Sequence, residues 1–184
     1  LGLFDDAVAT YRREIDRLED WGETGLDYAM TLGSLAGALE DRGDLVDARN
    51  TWRRAVPILE ERVGPSHIMY GQALNGLGRL VMLTGEPFDG YELVRRSVEV
   101  LLDHDRRVLQ GIGESAREAY LARVSVFYSD FYVATRDLSA AGGSPGGHVY
   151  DVLLATKGIL LQSGRRMARR IVESEDPDLI ADYE

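Results

Sequence analysis

Apolar residues in the first half of the chain recur with helical spacing, in paired segments separated by turn signals. The first segment carries Leu32, Leu35, Ala36 and Leu39. The second carries Leu45, Ala48, Trp52, Val56 and Leu59. Between them, Gly43 is the residue type that ends a helix in the left-handed conformation, and Asp44 is a typical helix N-cap. The pattern therefore predicts two antiparallel helices joined by a tight turn.

The same pattern returns with a period of about 42 residues. Residues 32–36 align with 74–78, 43–44 with 85–86, and 52–56 with 94–98. The start of the chain aligns with the second helix of the first unit at an offset of 41. Gly64, Pro65 and Ser66 separate the two units: Gly ends one helix, Pro prevents its continuation, and Ser is expected to cap the next. An internal repeat of helix pairs is predicted.

Small residues recur where paired helices would approach closely. They are Ala36, Ala48 and Ala55 in one unit, and Gly78, Gly90 and Ser97 in the next. With the large residues at Leu32, Leu35, Leu39 and Trp52, they resemble a tetratricopeptide repeat (TPR). The period exceeds the usual 34 or so residues and is similar to the kinesin-light-chain type, whose linker the segment 64–67 resembles. Glu14 and Val94 depart from the pattern.

The resemblance covers residues 1–104, as a half repeat followed by two full repeats. It implies an all-α fold, a TPR α-solenoid of antiparallel helix pairs wound into a right-handed superhelix. Because the chain begins at the second helix of a repeat, Phe4, Val8 and Tyr11 are expected to lack a covering helix. Exposed apolar faces of this kind favour self-association.

Residues 105–184 leave the repeat but keep helical patterns. The segment 116–138 is apolar nearly all round, which predicts a buried helix; its large residues are Tyr120, Val124, Phe127, Tyr128, Phe131 and Leu138. The glycine-rich run 141–147 predicts a mobile loop. A further helix is expected from Val149 through Arg170, and Asp176-Pro177 is typical of the start of another.

This second part resembles the helical connector of bacterial TPR–CHAT proteins, whose chains end in a caspase-like peptidase domain. The resemblance rests on residues 118–121 and on 153–161, where Lys157 and Gly158 precede an apolar run. It implies that 105–184 is a C-terminal helical connector preceding a CHAT domain that would begin after Glu184. The family's catalytic His and Cys belong to that domain. We therefore expect this chain to be a fragment of a larger bacterial, cytoplasmic protein.

Composition narrows the classes of partner. The formal net charge of −10 argues against nucleic acid and against anionic membranes, because both require a basic surface. No apolar run is long enough to span a bilayer. Cysteine is absent, which excludes disulfides, thiolate metal sites and Cys nucleophiles.

No pattern in the chain is typical of catalysis, so no catalytic residue, metal or cofactor is predicted. The glycine-rich run lacks the Gly-Lys-Ser/Thr ending of a phosphate-binding loop. His67, His104 and His148 lack metal-ligand spacing, and His67 is interpreted as a turn or capping residue. The run 103–105 is interpreted as solvated, and the Arg cluster at 165–170 as pairing locally with the acidic residues that follow it.

The best candidate site follows from the resemblance, because in TPR proteins the first helix of each pair lines a concave, peptide-binding groove. The matching positions are Met30, Gly33, Gly37 and Glu40 in one unit, and Gln72, Asn75, Arg79 and Met82 in the next. Asn75 and Arg79 would hold a peptide backbone or carboxylate. The alternative is that these polar groups only solvate the groove.

The expected function is that of a non-catalytic protein–protein interaction scaffold or sensor that regulates a downstream CHAT peptidase. Its partner would be a protein or peptide in the concave groove. Two alternatives stay open: a stand-alone TPR adaptor, and the peptide-sensing module of a transcriptional regulator.

Overall fold

The computed structural model describes residues 2–111 and 114–155, and this part of the chain is helical, without a strand. The helices are α1 (Gly2–Asp20), α2 (Leu26–Arg42), α3 (Leu45–Val63), α4 (Ile68–Leu83), α5 (Pro87–Gly111) and α6 (Glu114–Ala140). A further helical segment covers 148–155, one residue earlier than the predicted start. The predictions for Lys157 and Gly158, for 165–170 and for 176–177 lie outside the described residues.

Each helix packs against its predecessor, and α6 also reaches back to α4. The predicted end of α2 is confirmed: Gly43 has φ +94°, and the N–H groups of Gly43 and Asp44 donate to carbonyls of the last turn. Gly64 likewise ends α3 with a positive φ. Short turns at these glycines bring successive helices alongside one another, so their apolar faces meet.

Of the two predicted N-caps, one is correct in position only and the other is wrong. Asp44 occupies the N-cap position of α3, but its carboxylate pairs with Arg42 and makes no capping hydrogen bond. Ser66 is not the cap of α4. His67 takes that place, and its Nδ1 accepts a hydrogen bond from the Met69 N–H at 3.2 Å. The interpretation of His67 as a capping residue is confirmed.

Trp52 of α3 lies between two glycines of neighbouring helices. A Cβ on Gly33 of α2 would lie 2.9 Å from the indole Cη2, and a Cβ on Gly76 of α4 would lie 2.9 Å from its Nε1. Larger residues at either glycine would displace the ring. Gly33, which the repeat pattern assigned to the groove, therefore faces Trp52 instead.

Helices α4 and α5 cross with their backbones almost in contact. A Cβ on Gly78 would lie 2.8 Å from the Gly90 carbonyl oxygen, and one on Gly90 would lie 2.6 Å from the Gly78 carbonyl oxygen. Nearby, the buried Ser97 hydroxyl donates to the Gly71 carbonyl at 2.7 Å. The predicted close approach at small residues is confirmed for this pair, and Ala36, Ala48 and Ala55 are fully buried in the preceding unit.

The prediction for the start of the chain is confirmed only in part. Phe4 and its neighbour Leu3 are exposed and Tyr11 is half-buried, but Val8 is buried.

Helix α6, predicted to be buried, is not buried all round. Tyr128 and Phe131 enter a core shared with α5, while Val126 and Val133 are 52% and 46% exposed. One face of α6 is thus free to line a surface groove.

The glycine-rich run after α6, predicted as a mobile loop, is a hydrogen-bonded turn. The Gly143 N–H donates to the Leu138 carbonyl at 2.9 Å, and Gly142 has a positive φ. The Tyr91 hydroxyl donates to the Pro145 carbonyl at 3.3 Å. The turn directs the 148–155 segment back onto the core, where Val152 is buried.

Glycine-to-alanine substitutions at two helical positions are expected to change stability in opposite directions. Gly78→Ala should lower the free energy of unfolding by about 1 to 3 kcal/mol, because the new methyl group would meet the α5 backbone. Gly37→Ala should raise it by up to about 1 kcal/mol, because nothing lies within 4 Å and alanine favours helix. Urea denaturation followed by circular dichroism measures both. Equal effects of the two substitutions would contradict the close α4–α5 crossing.

Candidate functional site

A row of charged side chains joins three helices on the face formed by α2, α4 and α6. Arg79 of α4 pairs through Nη2 with the Glu40 carboxylate of α2. Its Nε lies 3.8 Å from Oδ2 of Asp130 on α6. We call Glu40, Arg79 and Asp130 the charged row. A single guanidinium thus bridges the first unit to the segment that follows the repeats.

Asn75 lies one turn before Arg79 and is only 3% exposed. Its Nδ2 donates to Asp130 Oδ2 at 2.6 Å, which fixes the orientation of the amide. Among the described residues, Asn75 Oδ1 has no hydrogen-bond partner. An unpaired buried acceptor costs about 1 to 3 kcal/mol, so this arrangement gains free energy if a donor reaches it.

A groove of about 230 Å³ opens beside the charged row, between α4 and α6. Its apolar lining comes from Met82, Leu83, Pro87, Val133 and Ala134, and its polar edge from Arg79, Asp130 and Asp137. On α6, the lining positions 130, 133, 134 and 137 follow one helical face. We call this the α4–α6 groove. It combines exposed apolar side chains with a charged border.

Of the eight predicted groove positions, Arg79 and Met82 line the α4–α6 groove, and Glu40 and Asn75 lie beside it as partners of Arg79 and Asp130. Met30 and Gln72 are exposed but do not line the α4–α6 groove. Asn75 is buried, and its amide is already engaged by Asp130. Arg79 is likewise held by two carboxylates. Arg79 and the Asn75 Nδ2 group must therefore exchange a partner before they can hold a peptide, whereas Asn75 Oδ1 can accept a hydrogen bond without an exchange.

The sequence did not single out six of the eight groove-lining residues, and the most consequential of these is Asp130, because it holds Asn75 and Arg79. It lies 55 positions from Asn75 in a segment without repeat character, so no spacing rule links the two. The only available signal was its place on α6, between Phe127 and Leu138, where a carboxylate interrupts an apolar pattern. Such a residue either faces solvent or is paired, and here it is paired.

A cluster of one tyrosine, one glutamate and one arginine occurs twice, each time where one helix pair meets the next. Tyr28 donates to Glu19 at 2.5 Å, and Arg54 donates to the same carboxylate at 2.8 Å. In the next unit, Tyr70 donates to Glu60 at 3.0 Å, and Arg96 donates to the Tyr70 hydroxyl at 2.8 Å. We call these the Tyr–Glu–Arg clusters, Tyr28/Glu19/Arg54 and Tyr70/Glu60/Arg96.

The sequence analysis did not identify the two Tyr–Glu–Arg clusters, although their residues lie about one repeat period apart, which is the signal that could have indicated them. Burial raises the pKa of Tyr28 and of Tyr70. The hydrogen bond from Tyr28 lowers the pKa of Glu19. The clusters lie at the junctions between helix pairs, which indicates a structural role.

Asp105 corrects the interpretation of 103–105 as a solvated run. Its side chain is fully buried at the α5–α6 junction and accepts hydrogen bonds from the Tyr120 and Tyr128 hydroxyls. Burial raises the pKa of Tyr128 well above its ordinary value, and the hydrogen bond to Asp105 adds to the effect. The network ties α6 to α5.

Within the part of the chain that the structure describes, neither a cluster of metal-ligand side chains nor a membrane-spanning helix is found. In 2–111 and 114–155, no three His, Cys, Asp or Glu side chains converge in a way that could hold a metal ion. Over the same part of the chain, no helix combines the length and hydropathy needed to cross a bilayer. The α4–α6 groove, with its apolar lining and charged border, is the arrangement best suited to binding.

Comparison with models of known protein families and with curated protein sequences gave no match. The α4–α6 groove and the repeated helix pairs are therefore the features of the chain that bear on its function.

Replacing Tyr128 by Phe should destabilise the fold in a pH-dependent way. Below pH 10, the ordinary tyrosine pKa, both folded and unfolded Tyr128 are protonated, so its hydrogen bond contributes fully. The variant should then lose about 1 to 3 kcal/mol. Above pH 10, Tyr128 ionises in the unfolded chain but keeps its proton in the folded one, so the wild type loses stability. The variant has no hydroxyl at position 128 and loses no stability by this route.

The difference in unfolding free energy between wild type and Tyr128→Phe should consequently shrink as pH rises beyond 10. Urea titrations at about pH 8 and about pH 11 measure it. A difference that is constant across this range would show that Tyr128 does not keep its proton in the folded state.

Proposed function

We propose that this chain is a non-catalytic protein–protein interaction module built as a TPR-type solenoid. The support is the recurrence of the same structural elements about 42 residues apart: turns at Gly43 and Gly85, small-residue helix crossings, and the two Tyr–Glu–Arg clusters. Helix pairs that repeat in this way form extended surfaces, and such surfaces serve for binding.

The partner binds in the α4–α6 groove, as an extended or helical peptide segment. The observation that carries this is the exposure of large apolar side chains at a concave site. Leu83 is 61% and Val133 is 46% exposed, and both line the same groove. Covering these side chains yields about 25 cal/mol for each Å² of apolar surface removed from water. A second groove, bordered by α1, α2 and α3, is lined mainly by charged and polar residues and offers less apolar area.

In the intact protein, this module regulates a downstream caspase-like CHAT peptidase. The proposal draws on the resemblance of 105–184 to the connector of TPR–CHAT proteins. The charged row supports it physically, because Arg79 of the repeats and Asp130 of the connector would respond together to a ligand in the groove. A coupling between sites requires such a shared element.

Short peptides selected from a displayed random library should bind the wild-type chain through the α4–α6 groove. Val133→Arg places a long charged side chain in the groove and should weaken the selected peptides about tenfold or more. The matched control is Val46→Arg, which changes the same residue type at similar exposure on α3, away from the groove lining. Fluorescence anisotropy with labelled peptides gives the Kd values.

Circular dichroism and thermal melting establish that both valine variants are folded. Selected peptides that bind both variants as tightly as the wild type would place the site elsewhere. A library that yields no saturable binder would contradict the proposed function itself.

A peptide bound in the groove should change hydrogen exchange in α6 and in the 148–155 segment. The reason is that Asp130 is held by Asn75 and Arg79, so a ligand that reorganises the charged row alters the packing of α6. Hydrogen exchange with mass spectrometry, with and without a selected peptide, measures this. Changes confined to α4, with none from Val124 onward, would contradict the coupling to the connector.

A further inference from the structure

We infer that the α4–α6 groove selects peptides in which a basic residue lies next to a single apolar anchor. The inference rests on the proposed function and adds the chemistry of the partner. It follows from the size of the groove, the sign of the charges at its border, and the pairs that those charges already make.

The size of the groove limits the apolar part of the ligand. At about 230 Å³, the groove is smaller than the pockets of about 300 to 1,000 Å³ that enclose small molecules. Its lining is aliphatic, from Met82, Leu83, Val133 and Ala134. The groove therefore fits one aliphatic or methionine side chain of a peptide, with the rest of the ligand lying along the border.

The border favours a positive charge. The charged residues that line the groove are Arg79, Asp130 and Asp137, two carboxylates against one guanidinium. Glu40, which does not line the groove, pairs with Arg79 and offsets its positive charge. With Glu40 and with Arg136, which pairs with Asp137, the groove and its border hold three carboxylates and two guanidinium groups, so the net charge there is negative, as is the net charge of −10 on the whole chain.

Asp137 is the carboxylate best placed to receive a basic side chain. Its side chain is 42% exposed, and its partner is the neighbouring residue Arg136, which is 73% exposed. Exposed pairs of this kind are worth about 0 to 1 kcal/mol, so exchange of Arg136 for a ligand cation costs little. Asp130, in contrast, is held by Asn75 and is less accessible.

An acidic ligand meets the opposite situation. To reach Arg79, its carboxylate would have to displace Glu40 while lying close to Asp130, which repels it. Like-charge contacts of this kind reduce affinity and so contribute to specificity. The groove therefore discriminates by charge sign as well as by shape.

The test uses the full chain and pairs of synthetic peptides. Each pair consists of a library-selected peptide and a version in which its Lys and Arg residues are replaced by Glu. We expect the basic member to bind about tenfold or more tightly, and its affinity to fall as salt is raised. Asp137→Lys should weaken the basic peptide and reduce or reverse the preference within the pair.

Asp103→Lys is the matched control, because Asp103 is also an exposed helical aspartate paired with a nearby arginine, Arg107, but it lies outside the groove. Both substitutions change the net charge by the same amount. The comparison therefore separates a local effect at Asp137 from a general effect of net charge on peptide binding. Equal weakening by both variants would show that only net charge matters and would overturn the inference.

The outcomes separate the inference from the proposed function. Peptides that are blocked by Val133→Arg yet are acidic or uncharged would overturn the inference and leave the proposed function standing. If light scattering shows a dimer that Val133→Arg dissociates, the groove is occupied by a second copy, and the inference is also overturned. A basic, groove-dependent peptide whose preference is lost in Asp137→Lys supports it.

Discussion

The placement of Trp52 between Gly33 and Gly76 determines how the first helices of the two units lie relative to each other. The indole ring reaches from α3 into the space between α2 and α4. That space is open because neither glycine has a Cβ. Protein interiors are densely packed, so a rigid ring with backbone on both sides fixes a helix separation better than flexible aliphatic side chains do. The position of α4 against α2 follows from this contact.

The charged row depends on that separation. Glu40 and Arg79 form an ion pair only because α2 and α4 are held at a distance that their side chains span. Arg79 and Asn75 in turn hold Asp130, and with it α6. A packing contact near the middle of the structure thereby sets the geometry of a groove that lies on its surface, one helix further along.

The repetitive part of the fold was predictable from local chemistry. Gly43 and Gly64 end helices where the sequence indicates, and Gly78 and Gly90 mark a real backbone contact. These features depend on one residue and its immediate geometry. The capping residues were less predictable, since Asp44 had a competing partner in Arg42 and His67 replaced Ser66.

The site was predictable only in part. Repeat position assigned Glu40, Arg79 and Met82 to a groove; Arg79 and Met82 line the α4–α6 groove, and Glu40 lies beside it in the charged row. Asp130 and the burial of Asp105 were not found, because each depends on partners from another helix that have no fixed spacing in sequence. Gly33 was misassigned for the same reason, since only the packed structure shows that a tryptophan fills the space in front of it.

The two Tyr–Glu–Arg clusters have a consequence for how such a chain changes in length. Each cluster takes its glutamate from the end of one helix pair, and its tyrosine and arginine from the next pair. Duplication or removal of one whole unit therefore leaves a complete cluster at every remaining junction. The array can be lengthened or shortened during evolution without the need to invent new junction contacts, and only its end units must be adapted to solvent.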